Sequence, residues 1–346
     1  MFRRAPEPDR PAKVENSHTD ERHAETGVYT PIAMTPDAVQ TAISRLRANI
    51  SKVYIGNADA VDRLIRCLLA RGHVLIEDVP GVGKTLLATA LARSVSCTFS
   101  RIQLTPDMLP SDVLGVTIFD RNSSEFQFKR GPIFANIVLA DEVNRTTPRT
   151  QSALLESMNE ATVSIDGRVL TLEQPFMVIA TQNPFEFEGT YLLPENQLDR
   201  FLLHVSLGYP TPADEARVIE MRPSETLHEL APVLTPADVL AVQKKVDEVR
   251  LDRSLVEYII AIATATRKNE QLQVGLSPRG TLALAHAARA TALMAGREYC
   301  IPEDVIENVL PVGAHRVISR AYLQAGDVRV STQVLQQILQ TVPSPA

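Results

Sequence analysis

The sequence predicts an α/β domain built on a parallel sheet and followed by a smaller helical domain, and three observations carry that prediction. Apolar runs recur at His73-Val74-Leu75-Ile76, Ile137-Val138-Leu139-Ala140 and Met177-Val178-Ile179-Ala180, each ending in polar or Gly/Pro residues, with helical patterns between them. Continuous apolar strands alternating with helices belong to a parallel sheet covered on both faces. After about residue 209 the strand-like runs stop; Leu255, Ile259, Ile262 and Ala263 share one helical face, as do Leu282, Ala285 and Ala288. A Pro-rich stretch (Pro210, Pro212, Pro223, Pro232, Pro236) marks the change. The 346 residues leave room for about two domains and a tail, at ~150 residues per domain.

In chain order, residues 1–34 are rich in Pro, Glu, Asp, Arg and His, with apolar residues scattered singly. Such a stretch cannot bury enough apolar surface to offset its ordering entropy, so a disordered tail is expected there. Order begins at Thr35-Pro36-Asp37, where Thr caps a helix and Pro occupies its first position. Thr211-Pro212, Thr235-Pro236 and Ser277-Pro278 repeat the signal. The α/β domain is expected over 35–208, and a linker with the helical domain over 209–346. Two inserts interrupt the α/β domain. Within 107–131, Gly115-Val116-Thr117-Ile118-Phe119 and Phe126-Gln127-Phe128 flank the polar turn Arg121-Asn122-Ser123-Ser124. That alternation suggests a β-hairpin or a short helix–strand insert. Within 161–172, two alternating runs flank Asp166-Gly167, the strongest short hairpin signal.

Lys and Arg number 35 against 41 Asp and Glu, a net charge of −6. This mild acidity gives no general attraction to nucleic acid or to an anionic membrane. Apolar residues at 45% and charged residues at 22% describe a soluble globular chain whose core needs no disulfide or metal. Cys67, Cys97 and Cys300 are odd in number, far apart and without C-x-x-C or His pairing, which argues against a disulfide scaffold or zinc site. No apolar run approaches the ~20 residues that span a bilayer, and Met1 to Glu7 shows no secretory h-region. A cytoplasmic location is expected.

Glu77-Asp78-Val79-Pro80-Gly81-Val82-Gly83-Lys84-Thr85 follows the first strand and opens a helix at Leu86. A phosphate-binding loop needs that context, because glycines let backbone N–H groups turn toward phosphate oxygens and the helix N-terminus adds positive potential. Pro80, Gly81, Val82, Gly83, Lys84, Thr85 and Leu86 are the candidate ATP contacts, with Lys84 on the β- and γ-phosphates and the Thr85 hydroxyl on Mg²⁺. The strict G-x-x-x-x-G-K-[ST] pattern requires Gly where this chain has Asp78. The second strand delivers Asp141 and Glu142 at its C-terminal end, the edge where open α/β sheets bind ligands. Asp141 is the candidate for the Mg²⁺ shell, and Glu142 for orienting and deprotonating the attacking water. The third strand ends in Thr181-Gln182-Asn183-Pro184, where the Asn183 amide can hold that water or the γ-phosphate without carrying charge.

In this combination and order the motifs resemble the AAA+ ATPases and, within them, the MoxR family. Glu77 to Thr85 looks like that family's Walker A loop, in which Asp at the first-glycine position is common. Asp141-Glu142-Val143-Asn144-Arg145 with Gln151-Ser152-Ala153-Leu154-Leu155-Glu156 looks like its Walker B strand and following helix. Ala180-Thr181-Gln182-Asn183-Pro184 is similar to the sensor 1 segment, Leu193 to Phe201 to the arginine-finger segment, and Gly275-Leu276-Ser277-Pro278-Arg279-Gly280 to the sensor 2 helix start. The resemblance runs over roughly 36–330 and implies a P-loop NTPase-type sheet, the AAA+ large domain, with a small helical lid.

The same resemblance implies that Arg200 is a finger inserted in trans into a neighbouring subunit's site. It implies that Arg279 reaches the γ-phosphate in cis, and that Ile55 and Gly56 pack on the adenine. The activity implied is Mg²⁺-dependent ATP hydrolysis by a homo-hexameric ring that remodels or matures a protein client, often beside a partner with a von Willebrand factor A domain. In related rings the two hairpins face the pore or the partner. Three alternatives stand beside it: a nucleic-acid motor of the same branch, a non-hydrolysing ATP-binding assembly switch, and a metal-chelatase motor subunit. The weakly basic hairpin turns and the acidic balance disfavour the nucleic-acid reading.

Overall fold

The computed structural model describes residues 35–183, 190–191, 193–320 and 328–345; the tail expected over 1–34 lies outside them. Helices α1 (Pro36–Ile50) and α2 (Ala58–Leu69) come first. Strand β1 (Val74–Glu77) leads through the glycine loop into α3 (Lys84–Ser94), and β2 (Phe99–Gln103) follows. Next come α4 (Pro110–Leu114), β3 (Gly115–Asp120), β4 (Glu125–Arg130), β5 (Ile137–Asp141) and α5 (Pro148–Glu160). Then come β6 (Thr162–Ile165), β7 (Arg168–Thr171), β8 (Met177–Gln182), α6 (Glu195–Leu198) and β9 (Leu203–Val205). The remainder is α7 (Pro212–Met221), α8 (Pro223–His228), α9 (Pro236–Glu248), α10 (Arg253–Lys268), β10 (Leu272–Val274), α11 (Pro278–Met294), α12 (Pro302–Gly313), β11 (Ile318–Ser319) and α13 (Val328–Thr341).

The main sheet has five parallel strands in the order β2-β5-β8-β1-β9. Its register aligns the strand ends: Gln103 lies opposite Asp141, and Glu77 opposite Gln182. Side chains of a strand alternate between faces, and the core divides accordingly. Val74, Ile76, Ile137, Leu139, Met177 and Ile179 pack with α1, α2 and α3 on one face. Leu75, Val138, Ala140, Val178 and Ala180 pack on the other with Leu154, Leu155 and Met158 of α5. The first core runs on without a break into the helical domain, through Val239, Ile259, Ala287, Val309 and Leu335.

Local chemistry explains the punctuation. Thr35, Thr211, Thr235 and Ser277 each accept a backbone N–H at a helix start, with Pro just inside. Asp166 (φ 50°) and Gly167 (φ 75°) are both left-handed, as a two-residue turn with the hairpin's twist requires. The first insert contains both forms weighed for it, the short helix α4 and the hairpin β3–β4. Thr117 Oγ1 donates to Asp166 Oδ2 at 2.6 Å and so links the two hairpins.

Two expectations change. Strands do not stop after residue 209, because β10 and β11 form a small antiparallel ribbon among the helices; runs of three and two residues are too short to show a period. Leu282 is 64% exposed. Helix α11 instead buries Leu284, Ala287, Ala288 and Thr291, and its many alanines left several faces equally plausible as the buried one.

His73, buried just before β1, couples the sheet to pH. Its Nδ1 accepts from Val178 N–H and its Nε2 faces the Met158 carbonyl, each at 2.9 Å, which fixes the neutral Nε2–H tautomer. Burial pulls its pKa from the ordinary 6.5 down to about 4. A histidine held neutral in the fold leaves stability untouched above its unfolded pKa, ~6.5, and costs stability as pH falls from there toward the folded value. Between pH 7 and pH 5 this one group should remove about 2 kcal/mol. Urea unfolding at the two pH values checks it: His73→Gln should show the smaller acid loss, and equal losses would contradict the assignment.

Candidate functional site

The C-terminal edge of the main sheet opens into a cleft of about 400 Å³ lined by Pro80, Gly81, Gly83, Lys84, Thr85, Leu86, Arg101, Gln103, Asp141, Glu142 and Asn183. Gly81 (φ 87°) and Gly83 (φ 90°) carry the loop through left-handed backbone, which a Cβ would strain. A Cβ at Gly83 would also press on the Tyr54 ring at 3.3 Å. Gly83 then caps α3, so Lys84 and Thr85 occupy the first turn, where N–H groups and the helix dipole favour an anion. Lys84 Nζ donates to the Asp78 carbonyl at 2.6 Å. Burial lowers its pKa, with the carboxylates of Asp78, Asp141, Glu142 and Glu77 opposing that shift.

Asp78, the departure from the strict loop pattern, has a definite structural task. Its Oδ2 accepts from Ser206 Oγ (3.0 Å), Leu207 N–H (2.7 Å) and Gly208 N–H (2.8 Å), and its Oδ1 from Val79 N–H (2.9 Å). A glycine could not tie the loop to the chain leaving β9. That chain helps form a second, smaller pocket of about 100 Å³ adjoining the first. It is lined by Tyr54, Ile55, Gly56, Val82, Gly208, Pro210 and Val218, among others. Ile55 and Gly56, which the family resemblance assigns to the adenine, line this pocket. Burial, then the Asp78 charge, pushes the Tyr54 phenol up to about 12, so it stays neutral.

The carboxylates are held from several sides. Thr181 Oγ1 donates to Asp141 Oδ1 at 2.5 Å and accepts from Glu142 N–H at 2.9 Å. Glu142 takes the left-handed conformation (φ 58°, ψ 53°), a placement that non-glycine residues keep only where surroundings impose it. Gln103 Nε2 donates to Glu142 Oε2 at 2.8 Å, and Arg145 Nη1 approaches the same oxygen at 3.3 Å. Arg101 Nη2 donates to Asp141 Oδ2 at 2.7 Å. Asn183 is buried and lines the cleft. The sequence assigns no role to Tyr54, Arg101, Gln103 or Thr181, and marks Asp78 only as a departure from the loop pattern.

Arg200 and Arg279 lie elsewhere. Arg200 Nη1 donates to the Leu155 carbonyl at 2.5 Å, and Arg279 donates to Asn159, so both sit against α5. Burial and then the Arg279 charge lower the pKa of Arg200, so the two guanidinium groups are close enough to repel. Neither lines the cleft. The expected reach of Arg279 into its own chain's cleft is therefore not made here, and the reason is visible. Asp199 accepts from Ser277 Oγ at 3.0 Å and from Arg316 Nε at 2.9 Å. Buried Arg316, its pKa brought down to about 10 by burial against the opposing Asp199 charge, also donates to the Leu202 carbonyl at 3.0 Å. These bonds fix the start of α11 to the Arg200 segment.

Thr85 and Asp141 share the cleft and offer only hard oxygens. Among the described residues no three His, Cys, Asp or Glu side chains gather as a metal cage. That donor set fits Mg²⁺, which keeps its waters and binds through one or two protein ligands plus phosphates. It does not fit zinc, and the three cysteines are unpaired.

Comparison with known proteins agrees with this geometry. Residues 73–203 match the pattern of the ATPase family associated with various cellular activities (AAA), and 264–338 match that of the AAA lid domain. The chain is 50% identical over 258 residues to YeaC of Bacillus subtilis, covering 74% of this chain and 81% of that protein. It is 42% identical over 312 residues to chaperone MoxR1 of Mycobacterium tuberculosis, covering 88% and 82%. A crystal structure from Cytophaga hutchinsonii superposes with a TM-score of 0.82 at 35% identity, over 90% of this chain and 97% of that one. A phosphate loop facing two adjacent carboxylates on a five-stranded parallel sheet, joined to lid helices, thus sits in a chain that belongs to the MoxR family of AAA ATPases.

Proposed function

We propose that this ATPase works as a homo-oligomeric ring, a hexamer by its family resemblance, and remodels or matures a client protein in the cytoplasm. The observation that carries the proposal is the pairing of Arg200 with Arg279 away from the chain's own cleft. Two repelling cations held on one face are relieved by an anion brought to them, and the nucleotide cleft of a second copy supplies one. Arg279 then acts in trans with Arg200 rather than in cis. Contacts that are the same on every subunit but join unlike faces give a ring where the rotation closes.

Within each cleft the first turn of α3 takes the phosphates, Lys84 neutralises them, and Ile55, Gly56 and Val82 take the base. Thr85 and Asp141 would hold Mg²⁺, which would supply charge neutralisation to the phosphates. Glu142 withdraws the proton of the attacking water and Asn183 positions that water.

The hairpins favour a protein client over a nucleic-acid track. They expose Phe126 (75%), Val169 (68%) and Phe119 (52%), and the similarity to chaperone MoxR1 points the same way. A partner with a von Willebrand factor A domain fits the family resemblance. Among the described residues no helix is long and apolar enough to cross a membrane.

Light scattering tests the ring. Glu142→Gln with Mg-ATP should run at about six subunit masses. A single-subunit mass for Glu142→Gln at every protein concentration would contradict the proposal.

A further inference from the structure

We infer that Arg101 is a built-in counter-cation for Asp141 that a divalent metal has to displace. The inference rests on the reading that Asp141 belongs to the metal shell. Arg101 and Gln103 are two apart on β2 and therefore share a face. Both point at the carboxylates across the strand pair, where Gln103 lies opposite Asp141. Each oxygen of Asp141 is engaged. Oδ1 accepts from Thr181 Oγ1 at 2.5 Å, and Oδ2 accepts from Arg101 Nη2 at 2.7 Å, while the same Nη2 reaches Gln103 Oε1 at 3.1 Å.

The two partners differ in how firmly they are held. Thr181 is 1% exposed and also receives Glu142 N–H. The Arg101 side chain is 48% exposed, whereas Asp141 is only 14% exposed. A long, half-exposed side chain leaves at little cost; a buried hydroxyl with two bonds does not. A divalent ion drawing on Oδ2 meets a guanidinium already bonded there, and like charges at that separation exclude one another. Metal entry is therefore coupled to release of Arg101, and metal loss to its return. Arg101 lines the same cleft as Lys84 and Thr85, so the released cation stays in the region where a nucleotide's phosphates would arrive. In consequence the metal binds more readily together with a nucleotide than by itself.

The competition is reciprocal, so removing Arg101 raises metal affinity. The pair is partly exposed, which limits the gain to roughly fivefold. The test is Mn²⁺ binding to the ADP complex of the full chain, read from the electron paramagnetic resonance signal of the free ion. Arg101→Met is expected to bind Mn²⁺ about fivefold more tightly than wild type. Arg101→Lys, which keeps the charge, is expected to stay near wild type, and added salt is expected to narrow the gap. Unchanged or weaker Mn²⁺ binding in Arg101→Met overturns the proposal, as does an equal gain in Arg101→Lys. Asp141→Asn keeps the two questions apart. If Asp141→Asn abolishes Mn²⁺ binding while Arg101→Met leaves it unchanged, the metal assignment stands and only the role of Arg101 falls. If Asp141→Asn binds Mn²⁺ as wild type does, the metal assignment itself fails.

Discussion

Glu142→Gln should bind ATP as wild type does and lose turnover by roughly 100- to 10,000-fold, the usual worth of a positioned general base. The amide keeps the size of the carboxylate and can still accept from Gln103 and Arg145, whose donors lie 2.8 Å and 3.3 Å from Oε2. What it loses is basicity. The left-handed backbone of Glu142, held by Thr181, aims the side chain and is not disturbed by an isosteric change. Binding and phosphate release, measured separately, check this. Near-normal hydrolysis would remove Glu142 from the base role, and weakened binding alone would point to a role in holding nucleotide.

The parts of the fold that were legible in the sequence are those whose signal is local. The Thr-Pro and Ser-Pro helix starts, the Asp166-Gly167 turn and the three central strands each follow from a few adjacent residues. Strand β2 was missed because Phe99-Ser100-Arg101-Ile102-Gln103 is an edge strand, half polar, and its polar residues serve the cleft. Strand β9, with three residues, is too short to show a period.

The site divides in the same way. The loop and the adjacent carboxylates stand out because phosphate and metal chemistry demand fixed residue types at fixed spacing. The groups that hold them do not. Thr181, Gln103 and Arg101 reach Asp141 and Glu142 only because parallel strands far apart in sequence end at one edge. The placement of Arg279 against α5 was not legible either. A helix start beside a glycine gives no direction, and the Asp199–Ser277–Arg316 bonds that set its direction join residues from three separate segments.

Arg200→Ala should lower turnover by about 1,000- to 100,000-fold if it supplies the finger of a neighbouring site, as trans arginines do in phosphoryl transfer. Its hydrogen bond to the Leu155 carbonyl is made to the interior of α5, so the fold should hold and the unfolding midpoint move little. Nucleotide binding should stay near wild type, because Arg200 does not line the cleft of its own chain. Arg200→Lys should not rescue the loss, since a planar fork and a point charge do not present the same donors to a phosphoryl group.

The most direct measurement is the turnover of a mixture of two inactive chains. Arg200→Ala keeps an intact cleft and lacks the finger; Lys84→Ala lacks a working cleft and keeps the finger. In rings assembled from equal amounts, about a quarter of the interfaces would pair an intact cleft with an intact finger. Recovery of up to about that fraction of wild-type turnover is the predicted result. No recovery, in rings shown to contain both chains, would contradict a site shared between subunits.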